Sequence, residues 1–118
     1  MSTGYDPPPF LRALPSWLSA QLARRGEELV TRALAGDGLR RQHFSVLTSL
    51  AEQGSASQAT LGRRLSIDRS DLHAILNDLE ADGNVRRVRD PQDGRRNVVE
   101  LTRRGAATRR RLGDRVAA

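Results

Sequence analysis

Residues 55–83, "SASQATLGRRLSIDRSDLHAILNDLEADG", contain two helix patterns separated by a short connection. Ser57 and Asp68 are residue types that favour the N-cap position of a helix. Leu61 and Leu65 form an apolar stripe in the first pattern. The second pattern has apolar residues at i, i+3, i+4 and i+7, which are Leu72, Ile75, Leu76 and Leu79. Gly83 ends it. Two such helices with so short a connection predict a helix-turn-helix.

The next stretch changes from a helical period to an extended one. Residues 85–89 and 97–101 are short runs with β-branched residues, separated by "DPQDGRR". Pro91 stops the first run, and Asp93-Gly94 is a tight-turn signal. The pattern predicts a β-hairpin whose tip carries Arg95 and Arg96.

Helical spacing also occupies both flanks of this region. Apolar residues predict one helix from Phe10 to Leu34, a second from about Arg40 to Gln53, and a last helix that begins near Thr102. Residues 1–9 are Pro-rich and predict a flexible arm. The expected fold is mainly α with a small β-hairpin, in the order α-α-α-α-β-wing-β-α. The expected architecture is therefore a winged helix-turn-helix.

Composition excludes several classes of function. The 118 residues suit one domain, contain no cysteine, and include no apolar run long enough for a membrane span. No secretory pattern opens the chain, so we expect a cytoplasmic protein without a membrane partner. We find no nucleophile elbow, no dinucleotide loop and no paired histidines. We therefore expect no catalytic residues, no cofactor and no metal site.

Positive charge is concentrated in one third of the chain. The formal net charge is +6. Residues 85–118 hold 11 arginines and four acidic residues, whereas residues 1–84 hold nine arginines and ten acidic residues. Such a distribution favours a polyanionic partner.

The motif set resembles the MarR family of winged-helix transcription regulators over roughly residues 16–112. The resemblance rests on "LGRRLSIDRSDLHAILNDLEADG" and "RDPQDGRRNVVELTRRG". The matching positions are Leu79-Glu80, Gly83, Asp90-Pro91, Asp93, Arg95, Leu101-Thr102 and Gly105. It implies a homodimer that binds double-stranded DNA, represses rather than activates transcription, and responds to a small-molecule effector.

The resemblance assigns residues to the DNA interface. It places a wing in the minor groove, with Arg95, Arg96, Asp93 and Arg89 as candidates. It places the second helix of the helix-turn-helix in the major groove, with Arg69, Ser70, Asp71, His73, Ala74 and Asn77 as candidates. Ser57 and Gln58 are further candidates. We interpret Arg86, Arg87 and Arg89 as phosphate contacts or as part of a solvated strand face. Asp93 either orients Arg95 or only shapes the turn.

The resemblance also divides the chain. Residues 10–38 form an N-terminal dimerisation helix, residues 39–101 the DNA-binding lobe, and residues 102–118 a C-terminal helix. The expected dimer interface comprises Phe10, Leu11, Leu14, Trp17, Leu18, Leu112 and Val116. The candidate effector pocket comprises Trp17, His43 and Leu47.

The chain departs from the family pattern in three respects. Asp71 and Asp78 make the expected major-groove helix acidic, and Asn84 stands where the family places an apolar residue. The C-terminal helix is short, which suits either a short family member or a C-terminally truncated form. Two alternatives therefore remain open. One is a winged-helix protein-interaction module that pairs with or antagonises a longer regulator. The other is sequence-independent nucleic-acid binding.

Overall fold

A computed structural model of the protein describes residues 6–117. The elements in that range are α1 (Pro9–Arg12), α2 (Pro15–Ala35), α3 (Arg41–Gln53), β1 (Ala56–Ser57), α4 (Gln58–Leu65), α5 (Arg69–Ala81), β2 (Val85–Arg89), β3 (Asn97–Leu101) and α6 (Arg103–Ala117). The mainly helical winged helix-turn-helix predicted from the sequence is confirmed. The hairpin strands have the predicted bounds.

The N-terminal helix prediction needs a correction, because residues 10–34 form two helices rather than one. Leu14 is extended, with φ −78° and ψ 130°, between α1 and α2. A proline disfavours the helical conformation of the residue before it, so Pro15 starts a new helix instead of lying in the first turn of the predicted one. Of the predicted flexible arm, residues 1–5 lie outside the described residues, and Pro9 already belongs to α1.

The sheet has three strands where the sequence predicted two. The strand order is β1-β3-β2, and both neighbouring pairs are antiparallel. In the hairpin Val85 pairs with Leu101 and Arg89 with Asn97. The additional strand β1 has two residues, which is too short to show an alternating pattern. It pairs with the edge of β3 that β2 leaves free.

A single hydrophobic core joins the helix-turn-helix to the flanking elements. The four leucine and isoleucine residues of the α5 stripe are buried, as the spacing predicted. They pack in one cluster with residues of the other elements, among them Leu34, Val46, Leu61, Val99 and Leu112. The core therefore fixes α5 and the sheet relative to each other.

The start of β2 is held against α6 by polar contacts. Asn84 is buried, and its side-chain oxygen accepts a 2.9 Å hydrogen bond from the Thr108 hydroxyl. Its backbone oxygen accepts a 3.1 Å bond from the amide of Thr102. Gly105 lies directly against this backbone. These partners explain why a polar residue is accommodated at position 84.

The N-terminal helices extend away from the rest of the fold. The longest dimension is 60 Å and the radius of gyration is 17.8 Å. A compact domain of this length would have a radius of gyration of about 13–14 Å. Along the 21 residues of α2, Leu34 is buried and most other side chains face solvent.

Across residues 6–117, no helix has both the length and the apolar character that a bilayer crossing requires.

Candidate nucleic-acid interface

The two helices of the helix-turn-helix begin at side-chain caps. The Ser57 hydroxyl accepts a 3.1 Å hydrogen bond from the amide of Thr60, and Asp68 accepts a 2.9 Å bond from the amide of Asp71. Ser66 lies between the helices in the left-handed region, with φ 53°. The caps satisfy amides that the first turn leaves unpaired, so both helix starts are fixed, as predicted from the residue types.

The starts of α4 and α5 face the wing across a groove of about 780 Å³. Five of the predicted interface residues line it: Ser57, Gln58, Arg69, Arg95 and Arg96. A neighbouring depression of about 410 Å³ is lined by Gln58, Arg69, Ser70 and His73, together with Arg87 and Asn97. The structure thus brings residues from three separate stretches of sequence to one surface.

The remaining predicted interface residues lie outside the lining of these two cavities. Asp71, Ala74 and Asn77 are exposed along α5. Arg89 is exposed at the end of β2. Ser70, His73, Ala74 and Asn77 follow one another at helical spacing, so they form a continuous exposed strip of α5.

The wing presents Arg95 to solvent. Its side chain is 94% exposed, and its Nε lies 3.4 Å from Oδ1 of Asp93. The same carboxylate oxygen accepts a 3.1 Å hydrogen bond from the Arg95 amide. Asp93 therefore shapes the turn and also contacts the guanidinium of Arg95. Shaping the turn is thus not its only contact with the wing. Arg96 is also exposed, and its Nε lies 3.7 Å from Oδ2 of Asp90.

One strand arginine does not fit its predicted role. Arg87 was expected among the phosphate contacts or on a solvated strand face, but its side chain is only 15% exposed. It bonds Glu80 at 3.0 Å and also bonds Asn77. The hydrogen bond from Arg87 lowers the pKa of the Glu80 carboxyl. Arg86, on the other face of β2, is exposed and pairs with Glu100 at 3.0 Å.

Acidic residues at the start of α5 are coupled to each other. A side-chain hydrogen bond with Asp68, together with the charge of Asp68, raises the pKa of Asp71. The backbone hydrogen bond from the Asp71 amide lowers the pKa of Asp68. As the pH falls, Asp71 therefore loses its negative charge earlier than an isolated aspartate would, while the Asp68 cap stays ionised longer.

Two of the three residues predicted for the effector pocket are buried in the core. Leu47 is fully buried in the core, and His43 is 2% exposed. His43 Nδ1 accepts a hydrogen bond from the Arg40 amide, so Nε2 carries the proton and donates to Asp78 at 2.9 Å. The histidine therefore ties α3 to α5. Trp17 is half-buried on α2.

The predicted dimer surface is exposed in part. Phe10, Leu11 and Leu18 are exposed, and Leu14, Trp17 and Val116 are half-buried. Leu112 is a correction, because it is fully buried in the chain's own core and has no surface for a partner. Two exposed leucines were missed, Leu22 at 73% and Leu29 at 65%. Both lie on the Leu18 face of α2, so the helical spacing was a usable signal.

Part of the C-terminal positive charge is used within the chain. Arg109 lies 5.7 Å from the ring centre of Phe44, and Arg111 and Arg115 both bond Asp37. The side-chain hydrogen bond from Arg115 is the main cause of the lowered pKa of Asp37.

Within residues 6–117, no group of three or more His, Asp or Glu side chains is placed to hold a metal ion.

Comparisons with known proteins find a family model and several transcription regulators. A family model described as MarR family matches residues 37–96. The transcriptional activatory protein BadR of Rhodopseudomonas palustris is 33% identical over 78 residues, which are 64% of this chain and 45% of that protein. The transcriptional repressor NicR of Pseudomonas putida is 38% identical over 64 residues, 54% of this chain and 40% of that protein. The chain thus spans less than half of either relative.

Solved structures extend the likeness to most of the chain. The PcaV transcriptional regulator of Streptomyces coelicolor, in complex with its natural ligand, is 29% identical with a TM-score of 0.72. That match covers 98% of this chain and 79% of PcaV. CouR of Rhodococcus jostii, bound to p-coumaroyl-CoA, is 28% identical with a TM-score of 0.78. That match covers 91% of this chain and 76% of CouR. The flanking helices therefore share the fold as well.

Proposed function

The chain belongs to the MarR family, and from this premise we propose that it is a sequence-specific transcription regulator that binds double-stranded DNA as a homodimer. One observation carries the proposal: the starts of α4 and α5 and the exposed arginines of the wing converge on a single groove. Helix N-termini and guanidinium groups both attract phosphate.

The exposed strip of α5 is the reading element of this proposal. An α-helix fits the major groove of B-DNA, which is about 12 Å wide. His73 and Asn77 offer hydrogen-bonding groups there, and Ala74 offers a methyl contact for thymine. Asp71 can accept a hydrogen bond from a cytosine amino group. We infer that Ser57, Gln58, Arg69 and Ser70 hold the flanking phosphates and fix the position of α5.

The wing is the second contact. A narrow minor groove concentrates negative potential and favours an inserted arginine. Arg95 has the required exposure, and its contact with Asp93 limits the directions in which the guanidinium can point. Arg96 and Arg89 then lie where they add phosphate contacts. This arrangement lets the wing provide most of the attraction that the acidic α5 lacks.

We assign dimerisation to residues 10–38 and 102–118, and DNA binding to residues 39–101. The exposed apolar residues of α1 and α2 support this division. An exposed apolar patch marks an interaction site, because apolar side chains that stay in water contribute no burial to stability. A second copy with the same face would cover it through a two-fold contact. The two recognition helices would then read two related half-sites.

We infer repression as the direction of regulation and the cytoplasm as the location. Occupying a promoter is sufficient for repression, whereas activation needs an additional contact with the transcription machinery. NicR is named a repressor and BadR an activatory protein, and a reporter assay with a promoter that the protein binds tests the direction inferred here. PcaV and CouR were solved with small molecules. We propose a small-molecule effector for this chain too.

The proposal is tested by Arg95→Ala, measured by fluorescence anisotropy on a duplex selected by the wild-type protein. A dimer loses one wing contact at each half-site, so we expect affinity to fall roughly 10- to 100-fold at about 0.15 M salt. The slope of log affinity against log salt should fall by about one to two units. Arg110→Ala is the matched control, because Arg110 is exposed on α6 outside the groove. Equal affinities for the two variants would reject the role of the wing.

A further inference from the structure

Arg87 connects the sheet to the exposed strip of α5. Its guanidinium bonds Oδ1 of Asn77, bonds Oε1 of Glu80 at 3.0 Å and contacts Nδ1 of His73 at 3.5 Å. Its backbone amide also bonds Oε2 of Glu80 at 3.2 Å. The three partners lie at successive turns of α5, so one side chain from β2 contacts much of the helix that we propose as the reading element.

The chemistry of arginine determines what these contacts do. A guanidinium group has five N–H donors and no acceptor. The atoms that face it must therefore be acceptors, which identifies the Asn77 atom as the amide oxygen and leaves Nδ1 of His73 without a proton. The remaining polar atoms of both side chains are then donors: the amide nitrogen of Asn77 and Nε2–H of His73. Both residues are exposed.

We propose that Arg87 is a positioning residue that sets the hydrogen-bonding polarity of α5, so that His73 and Asn77 present donors to DNA. This inference rests on the proposed function. An asparagine with both amide atoms available reads adenine by accepting from N6 and donating to N7. Because its oxygen is directed to Arg87, Asn77 presents its amide nitrogen, a donor, to the DNA. Donors favour the base edges that carry acceptors, above all N7 and O6 of guanine and O4 of thymine.

The test compares the sequences that each variant selects from a pool of random duplexes. In Arg87→Met the long side chain remains but the amide oxygen of Asn77 is released. We expect adenine to become enriched by about tenfold or more over guanine at the position that Asn77 reads, because a bidentate contact becomes available. The added change Asn77→Leu should abolish this gain, since it removes the amide.

Arg86→Met is the matched control. It removes the same charge from the neighbouring position of β2, but Arg86 is exposed and faces away from α5. We expect it to select the wild-type sequence. Arg87→Lys is a second variant for the case in which Arg87→Met does not fold. Its ammonium retains a partner for Glu80 but cannot also reach His73 and Asn77, so it should show the same adenine gain.

The outcomes separate this inference from the function on which it rests. A wild-type protein that selects no sequence contradicts the proposed function and the inference with it. A wild-type protein that selects a sequence which the folded Arg87 variants retain unchanged overturns the inference alone. Folded Arg87 variants that lose all duplex binding also overturn it, because Arg87 would then supply affinity rather than orientation.

Discussion

Gly105→Ala should disrupt the contact between α6 and the start of the wing. A Cβ atom at position 105 would lie 1.9 Å from the backbone oxygen of Asn84 and 2.7 Å from Cδ1 of Leu101. The nearest atom is backbone, so rotation of a side chain cannot relieve the clash. Because the start of β2 is also held by Thr102 and Thr108, either α6 or the strand must move.

The size of the effect follows from the packing. Overpacking a well-filled core costs about 1–3 kcal/mol, and a backbone clash of this size belongs at or above the upper end. The better helix propensity of alanine offsets at most about 1 kcal/mol of this cost. We therefore expect the free energy of unfolding to fall by roughly 2–4 kcal/mol, measured by urea unfolding at fixed protein concentration. Affinity for DNA should also fall, because the wing loses its support.

Gly36→Ala is the matched control. Gly36 has φ −62° and ψ −24°, and an added Cβ would meet only the end of the Arg115 side chain at 3.8 Å. Alanine fits that conformation and restricts the unfolded chain, so we expect a gain of about 0.4–1 kcal/mol. If the Gly105→Ala variant proves as stable as the Gly36→Ala variant, Gly105 is not required for the close contact between α6 and the start of β2.

Two further predictions concern acid stability and assembly. Asp37→Asn should lower the free energy of unfolding by about 1 kcal/mol at neutral pH, because it removes the ion pairs with Arg111 and Arg115. The pKa of Asp37 is lowered in the folded chain, so this stabilisation is present above the ordinary aspartate pKa of about 3.9 and is lost as the pH falls through the lowered value. Urea unfolding curves of the two proteins should therefore converge in acid, and a constant difference would exclude this cause. Leu22→Glu should weaken dimerisation by about 100-fold or more in sedimentation measurements, since each two-fold contact contains the change twice. Thr31→Glu, on the opposite side of α2, should leave the dimer intact, and equal effects would contradict the assigned face.

The sequence was informative where local rules decide the structure. Ser57 and Asp68 cap helices, and the change from helical to extended period located β2 and β3 with their observed bounds. These features depend on neighbours in the chain, so they can be identified without the fold. The same applies to the buried stripe of α5.

What sequence reasoning missed depends on contacts between distant residues. Arg87 turns inward because Glu80 and Asn77 approach it from another element. Leu112 and His43 have the residue types of an interface and of a pocket, but the core of the single chain encloses both. Pro15 is the exception among local signals, because a proline is compatible both with the first turn of a continuing helix and with the start of a second one.

Sequence-specific binding by a dimer is tested by selecting, with the wild-type protein, the sequences that it binds in a random duplex pool. We expect enrichment of a two-fold symmetric site whose half-sites are centred about one helical turn, roughly 10 base pairs, apart. This result would require a dimer that reads bases with two equivalent helices. Retention of duplexes without any enriched sequence, or enrichment of a single asymmetric half-site, would contradict it.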